Sequence, residues 1–399
     1  MKKKIFNNDP LRIIILYFAT AYFFVVAAHI YIIWNPELIL AGPVTGGLIA
    51  WIHIHTMGVI TPLFMAIGYY NLQRNYNSGI KVYHVLLQYI LLFLSLTVFL
   101  FHIYFRQGSM ALSISAGMLF SSGAYYIFIY ASVLRRLKKE KRNFEFWIDV
   151  VSLYFFFQAI LFGFVLALNL SYHFLRTSEL HSLKLHSHSG IAGFWFLQFI
   201  NMICRNSMLE TVLHNVRYLK YSAACMSLGL FLWTSVHDHF PVVLYFFYFL
   251  AGLSLLFLFS YLKKSDSKKI FSLVLLRLNL VLMLLAYGLA GIMIFSGSEG
   301  FIYGNHVPFI YAYIIFYGIF ISAPIPFLKK LYAERERYTP VEFQNMERGY
   351  FLYIIFSVAL VLSILWENIV YLQVFVAILL LIVGFIYYKV IKKCKNLIV

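Results

Sequence analysis

The chain has 399 residues, of which 62% are hydrophobic and only 12% are charged. Soluble domains are about 45–50% apolar and about 25% charged, so this composition excludes a soluble globular protein and indicates a polytopic membrane protein. The formal net charge of +17 does not indicate nucleic-acid binding, because the basic residues cluster in short segments between apolar runs.

Apolar segments of about 20 residues, the length that crosses a bilayer as an α-helix, recur from one end of the chain to the other. They predict an all-α integral membrane protein of about twelve transmembrane helices without a soluble domain. In chain order, the predicted helices cover 11–33, 47–72, 82–105, 110–134, 147–173, 187–204, 218–237, 241–262, 271–296, 307–328, 349–366 and 369–391.

The basic residues predict the topology of these helices. With a cytoplasmic N-terminus, all Lys and Arg residues except Arg106, Arg176 and Lys184 fall on the cytoplasmic side. This positive-inside distribution predicts that both termini are cytoplasmic and that the protein resides in the cytoplasmic membrane. Met1–Lys4 precede an apolar run too long for a signal peptide, so we expect a retained first helix.

Histidines are concentrated on the predicted outer side of the membrane, where all of the thirteen except His84 and His214 lie. An ionisable side chain at a membrane boundary is costly unless it has a partner, so such residues are candidates for a functional site. Imidazole is also a common ligand of haem iron and copper. The candidates begin the second, sixth and tenth predicted helices or end the seventh, and they are His53, His55, His186, His188, His237, His239 and His306.

An internal repeat relates some of these histidines. Residues 51–58 and 185–193 both contain an H-x-H pair, and His102 and His237 continue a similar spacing. We therefore predict a single transmembrane domain, 1–399, made of three pseudo-symmetric four-helix arcs at about 11–134, 147–262 and 271–391. Membrane-protein repeats often place the site at their interface, where the second, sixth and tenth helices would meet.

The spacing within each pair limits what it can bind. Residues i and i+2 of an α-helix point about 200° apart, so the two histidines of an H-x-H pair cannot share one metal on a regular helix. The pair formed by His237 and His239 precedes Pro241, where an unwound backbone would allow both to bind one ion. Isolated histidines such as His29 are more commonly interfacial side chains that reach towards water. No acidic residue lies deep in a predicted span, and Asp149 is near an inner end.

Several of these segments resemble the catalytic subunits of haem-copper oxidases, a superfamily that includes nitric oxide reductases and NnrS-like proteins. His55-Thr56-Met57 is similar to the ligand segment of the second helix in that family, and His188 to the metal ligand of the sixth. The segment from Trp233 to His237 is similar to the one that leads up to the seventh-helix histidines in that family. His306 is similar to a tenth-helix ligand.

Two departures favour the NnrS-like or nitric oxide reductase-like members over the oxidases. Asp238 separates the two seventh-helix histidines, which are adjacent in the oxidases, and Ala192 stands where the sixth helix carries a tyrosine. The motif from His186 to Gly190 also resembles a tenth-helix H-x-H of cbb-type oxidases. The motif can therefore correspond either to the sixth or to the tenth helix of the family.

The resemblance implies a haem-dependent oxidoreductase or sensor that reacts with or responds to nitric oxide or O2. It implies b-type haem held by ligands from His53, His55, His186 and His306, with His55 and His306 facing each other across one iron. It further implies copper or non-haem iron held by His188, His237 and His239. Partners would be the lipid bilayer and an electron-donor cytochrome or partner subunit, with no nucleic acid. The alternative is a twelve-helix transporter, for instance of a metal ion, with a histidine-lined outer entrance.

The topology is tested by reporter fusions placed after Lys141 and after Lys184. We expect the two reporters to indicate opposite sides of the membrane, because the first site lies in a basic cytoplasmic loop and the second lies outside. If both reported the same side, the grouping of the histidines on one side would be wrong.

Overall fold

The computed structural model describes residues 11–37, 46–76, 78, 80–105, 110–173, 185–205, 216–236, 241–263, 271–295, 348–349, 351–359 and 369–398. These residues are almost entirely helical and include no β-strand. Within them, six helices are long and apolar enough to cross a membrane: Ile13–Trp34, Ile49–Arg74, Val82–Phe105, Met110–Arg135, Phe144–Tyr172 and Val242–Tyr261. The prediction of an all-helical chain with membrane-spanning segments is confirmed at this level.

The helices begin and end within a few residues of the positions predicted from hydropathy. They are α1 (Leu11–Trp34), α2 (Gly46–His53), α3 (Thr61–Arg74), α4 (Val82–Phe105), α5 (Met110–Arg135), α6 (Phe144–Tyr172), α7 (Phe196–Arg205), α8 (Val216–Val236), α9 (Pro241–Lys263), α10 (Phe271–Phe295) and α11 (Ile369–Ile398). Two π-helices, π1 (Ile54–Ile60) and π2 (Ser189–Trp195), lead directly into α3 and α7. The predicted helix at 307–328 lies outside the described residues.

Contacts divide the chain into two compact units that are interleaved in sequence. The first unit comprises Met1–Phe23, Met57–Gln198 and Val390–Val399, and the second comprises Phe24–Thr56 and Phe199–Lys389. The boundaries cross α1, π1, α7 and α11, so each of these continuous elements contributes to both units.

The first unit is organised around α3, in which every residue from Thr61 to Leu72 is buried. A helix that is apolar on all sides is expected in a core. Its buried tyrosine Tyr69 contacts Tyr17 of α1 and Tyr126 of α5, with ring centroids 5.9 Å and 5.2 Å apart. The Tyr17 hydroxyl donates to Gln88 and to the Val85 carbonyl of α4. Aromatic packing and interhelical hydrogen bonds thus hold α1, α3, α4 and α5 together.

In the second unit, α9 and α10 are joined by a reciprocal pair of tyrosines. The rings of Tyr248 and Tyr287 stack 4.1 Å apart. Each hydroxyl donates to the backbone carbonyl of the other tyrosine, at 2.7 Å and 3.1 Å. The glycine four residues after each tyrosine, Gly252 or Gly291, makes room for the partner hydroxyl, which a Cβ atom there would overlap. Both helices carry the same sequence motif, Y-x-L-A-G, and this repetition explains the symmetry of the contact.

We expect Gly291→Ala to lower the free energy of unfolding by about 1–3 kcal/mol, the usual cost of overpacking, because the new methyl group displaces the Tyr248 hydroxyl. Gly288→Ala on the same helix is the matched control, since an added Cβ there meets nothing within 4 Å. The control should leave the free energy of unfolding unchanged or raise it by up to about 1 kcal/mol, because alanine has a higher helix propensity than glycine. Equilibrium unfolding in mixed micelles measures the free energy of unfolding of both variants. An equal decrease for the two variants would contradict the tyrosine contact.

Candidate functional site

Of the three H-x-H pairs in the sequence, the first overlaps a seven-residue π-helix and the second directly precedes one. π1 begins at Ile54, between the two histidines of the first pair, and π2 begins at Ser189, directly after the second pair. π-Helical turns are rare and occur frequently at functional sites. The two segments that the sequence pairs as a repeat therefore share an unusual backbone conformation beside their histidines.

The two histidines of the first pair differ in their surroundings. His55 is completely buried, whereas His53 is half-buried. The Nδ1 atom of His53 lies 2.8 Å from the carbonyl oxygen of Ile49, and that of His55 lies 2.8 Å from the carbonyl oxygen of Trp51. The two rings thus bind different carbonyls, and the assignment of the two histidines to different sites stays a prediction.

His29, on α1, is also completely buried, although the sequence analysis treated it as an interfacial side chain. That interpretation was wrong, because the residue is enclosed by protein. Its Nδ1 atom lies 2.6 Å from the carbonyl oxygen of Val25, one turn earlier on the same helix.

Aromatic side chains of the second unit enclose these two imidazoles. The Trp51 ring lies 4.3 Å from the His55 ring, and the Tyr353 ring lies 6.1 Å from the His29 ring. Both aromatic side chains are almost completely buried. We call His29, His55, Trp51 and Tyr353 the histidine cluster. One turn along α1 from His29, the Ile33 carbonyl accepts a hydrogen bond from Gln373 of α11, which fixes the position of α1.

The hydrogen bonds define the protonation of each ring. A backbone carbonyl only accepts, so Nδ1 must carry the hydrogen atom in His29, His53 and His55. In a neutral imidazole, Nε2 then carries the lone pair. Histidines that ligate metals usually donate their other N–H to a carbonyl or carboxylate, which sets the ring orientation and raises ligand basicity. His29, His53 and His55 therefore each have a donor atom and a supporting hydrogen bond of the kind that metal-ligating histidines use.

The second H-x-H pair lies in the first unit and contacts α6. The Nδ1 atom of His186 lies 2.6 Å from the Ala159 carbonyl oxygen, in the middle of that helix. Gly163 makes room for the ring, because a Cβ atom there would lie 2.7 Å from the imidazole Cε1 atom. The same tautomer argument assigns the lone pair of His186 to Nε2. His188 is half-buried, and its Nδ1 atom lies 3.2 Å from the Ser187 hydroxyl.

A buried acidic residue in the first unit carries a polar network that the sequence analysis did not anticipate. Asp149, in the second turn of α6, is completely buried. Its carboxylate accepts hydrogen bonds from the Tyr76 hydroxyl at 2.9 Å and from the Gln198 amide at 3.4 Å. The Gln198 amide also donates to the Ser152 hydroxyl at 2.6 Å. Because hydropathy gives only the depth of a residue along a helix, it could not show that Asp149 faces protein.

Not all predicted ligands can be located. His237, His239 and His306 lie outside the described residues. Of the remaining candidates, His53 and His55 belong to the second unit, and His186 and His188 to the first. Within the described part of the chain, no group of three or more His, Cys, Asp or Glu side chains is arranged to hold a metal ion. The predicted site of His188, His237 and His239 stays a prediction.

Comparison of the chain with protein-family models and with curated proteins found no match.

The contact between the His186 ring and α6 can be tested at Gly163, which lies beside the ring. We expect Gly163→Ala to lower the free energy of unfolding by about 1–3 kcal/mol, because the methyl group overlaps the imidazole and strains its hydrogen bond to Ala159. Gly190→Ala is the control, since its added Cβ would lie 3.8 Å from the Ala159 side chain, an ordinary contact. Both free energies of unfolding are measured in mixed micelles. If Gly190→Ala lowered the free energy of unfolding as much as Gly163→Ala, Gly163 would have no specific role in making room for His186.

Proposed function

We propose that this protein is a haem-binding protein of the cytoplasmic membrane, diverged within the haem-copper oxidase superfamily. It carries out or responds to redox chemistry with a diatomic gas, nitric oxide or O2. Twelve transmembrane helices in three four-helix arcs, with both termini in the cytoplasm, form its framework. The single observation that carries the proposal is the state of His55, a completely buried imidazole with Nδ1 bonded to a backbone carbonyl.

Three features of the described residues support haem at this place. The tautomer of His55 leaves Nε2 with the lone pair that an iron ligand needs. The Trp51 ring beside His55 and the complete burial of His55 provide the dry surroundings that favour a haem group. A haem bound there would supply an iron that can change oxidation state.

The protein residues position and insulate this centre. The Trp51 carbonyl holds the His55 ring in one orientation, and its indole ring packs against the same imidazole. His53, half-buried on the same helix, is proposed as a ligand to a different group. His186 and His306 are the remaining haem-ligand candidates, and a second centre with copper or non-haem iron is proposed at His188, His237 and His239.

Transport is a second candidate function, and one observation favours it. The buried Asp149 carboxylate, with its Tyr76 and Gln198 partners, is an ionisable group inside the helix bundle. Such groups are rare in membrane proteins and often mark substrate or ion pathways. A transporter would hold these residues without any requirement for haem.

The absorption spectrum of the purified full chain, before and after reduction, separates the two functions. We expect a haem band that sharpens on reduction, and we expect His55→Ala to lose most of the bound haem because an axial nitrogen is removed. Elemental analysis of the same samples measures copper and iron.

His84→Ala is the matched control for His55→Ala. His84 lies in the first unit, and its Nδ1 atom is 2.6 Å from the Tyr125 hydroxyl, so its removal leaves the histidine cluster intact. The control should retain the wild-type haem content. A colourless wild-type protein, produced with an ample supply of haem, would reject the haem function and favour transport.

A further inference from the structure

We propose that the loop between α5 and α6 is a docking surface for the headgroups of anionic phospholipids. Positions 135–142, at the end of α5 and in this loop, hold six basic residues and one acidic residue. The inference goes beyond the proposed function, because it concerns the surrounding membrane and does not depend on a haem group.

The basic side chains of this segment face away from the protein. The structure describes five of them, all exposed, and they are Arg135, Arg136, Lys138, Lys139 and Arg142. We call these five residues the basic loop cluster. The single acid of the segment, Glu140, can neutralise at most one of them. Like charges this close in sequence repel one another, so a bound anion would stabilise the cluster.

The two flanking helices hold the loop at the membrane boundary. Both α5 and α6 are long and apolar enough to cross the membrane, and the loop joins their adjacent ends. The Arg142 N–H donates to the Lys139 carbonyl at 3.0 Å, and the Asn143 side chain caps α6 by accepting from the Phe146 N–H at 3.1 Å. Because the loop is short and turned back on itself, its cations stay at the level of the headgroups.

Aromatic side chains mark the same boundary. Trp147, in the first turn of α6, is 56% exposed, and tryptophan is enriched where a membrane meets water. The Arg142 guanidinium lies 5.7 Å from the centre of the Phe146 ring, a cation–π contact that holds the charge beside the apolar boundary. The start of α4 repeats this arrangement, with the Lys81 ammonium 5.9 Å from the centre of the exposed Tyr83 ring.

Anionic phospholipid fits these features better than a soluble partner does. Headgroup phosphates lie at the depth that Trp147 marks, and they accept charge-assisted hydrogen bonds from lysine and arginine. Clusters of about four to eight basic residues beside a spanning helix are typical of binding to acidic lipids. The predicted topology also places this loop in the cytoplasm, on the side where the membrane surface is negative.

The experiment measures which lipid lies next to Trp147. The purified full chain is reconstituted into mixtures of phosphatidylglycerol and phosphatidylcholine in which one lipid or the other carries bromine atoms that quench tryptophan fluorescence. Subtracting the signal of Trp147→Phe isolates the quenching of Trp147. We expect phosphatidylglycerol to bind there about threefold or more tightly than phosphatidylcholine, because several cations attract its headgroup. The preference should disappear in about 1 M salt, where the Debye length falls to about 3 Å.

Two matched variants test the cluster itself. The neutral variant combines four substitutions, Arg135→Gln, Arg136→Gln, Lys138→Gln and Lys139→Gln, and we expect it to lose the preference for phosphatidylglycerol. The control variant keeps every charge by combining Arg135→Lys, Arg136→Lys, Lys138→Arg and Lys139→Arg, and it should keep the wild-type preference. The salt titration of the wild type uses no variant, so it tests the proposal even where the neutral variant fails to fold.

Three outcomes would overturn the proposal. Equal quenching of Trp147 by the two lipids in the wild type would leave the loop to an acidic protein partner. A preference that persists in the neutral variant would assign the selection of lipid to other residues. Inorganic phosphate that abolished the preference at an ionic strength where chloride did not would make free phosphate the ligand. None of these outcomes depends on whether the protein binds haem.

Discussion

Hydrogen bonding to helix carbonyls is the interaction on which the described structure depends. An apolar interior contains no water to satisfy polar side chains, and every helix carbonyl already accepts an N–H from four residues later. At Ala159, Tyr248 and Tyr287, a side chain from another element donates to such a carbonyl as a second partner. In all three cases the residue four positions later is glycine. Because Cβ atoms lean towards the helix N-terminus, a glycine there leaves the carbonyl open to the incoming donor.

The same carbonyls connect the fold to the proposed chemistry. His29, His53 and His55 each bond to the carbonyl one turn before them, and His186 bonds to one on α6. Each bond orients a ring and assigns its proton to Nδ1. A helix carbonyl thus performs the orienting role that a carboxylate often has in metal sites. This mode of support explains how a site can be built in helices that carry very few acidic residues.

The two π-helices give two H-x-H segments a similar backbone, although the histidines of the two segments pack differently. π1 and π2 have equal length and both adjoin an H-x-H pair. In the first copy, His55 bonds within its own helix and packs against Trp51. In the second copy, His186 bonds across to α6 over Gly163. The first histidines of the two pairs also differ, because His53 bonds to the Ile49 carbonyl of its own helix and His186 to the Ala159 carbonyl of α6.

The sequence alone determined the helical class, the approximate helix boundaries and the two H-x-H segments, because hydropathy and short motifs are properties of local sequence. It did not determine which side chains the fold encloses. Helices that are apolar on every face give no amphipathic signal, so neither the burial of His29 nor the polar network around Asp149 could be predicted. Only the tertiary structure decided these features, since they depend on which helix packs against which. The physical reason is that a hydrogen bond or an enclosing ring comes from residues distant in the chain.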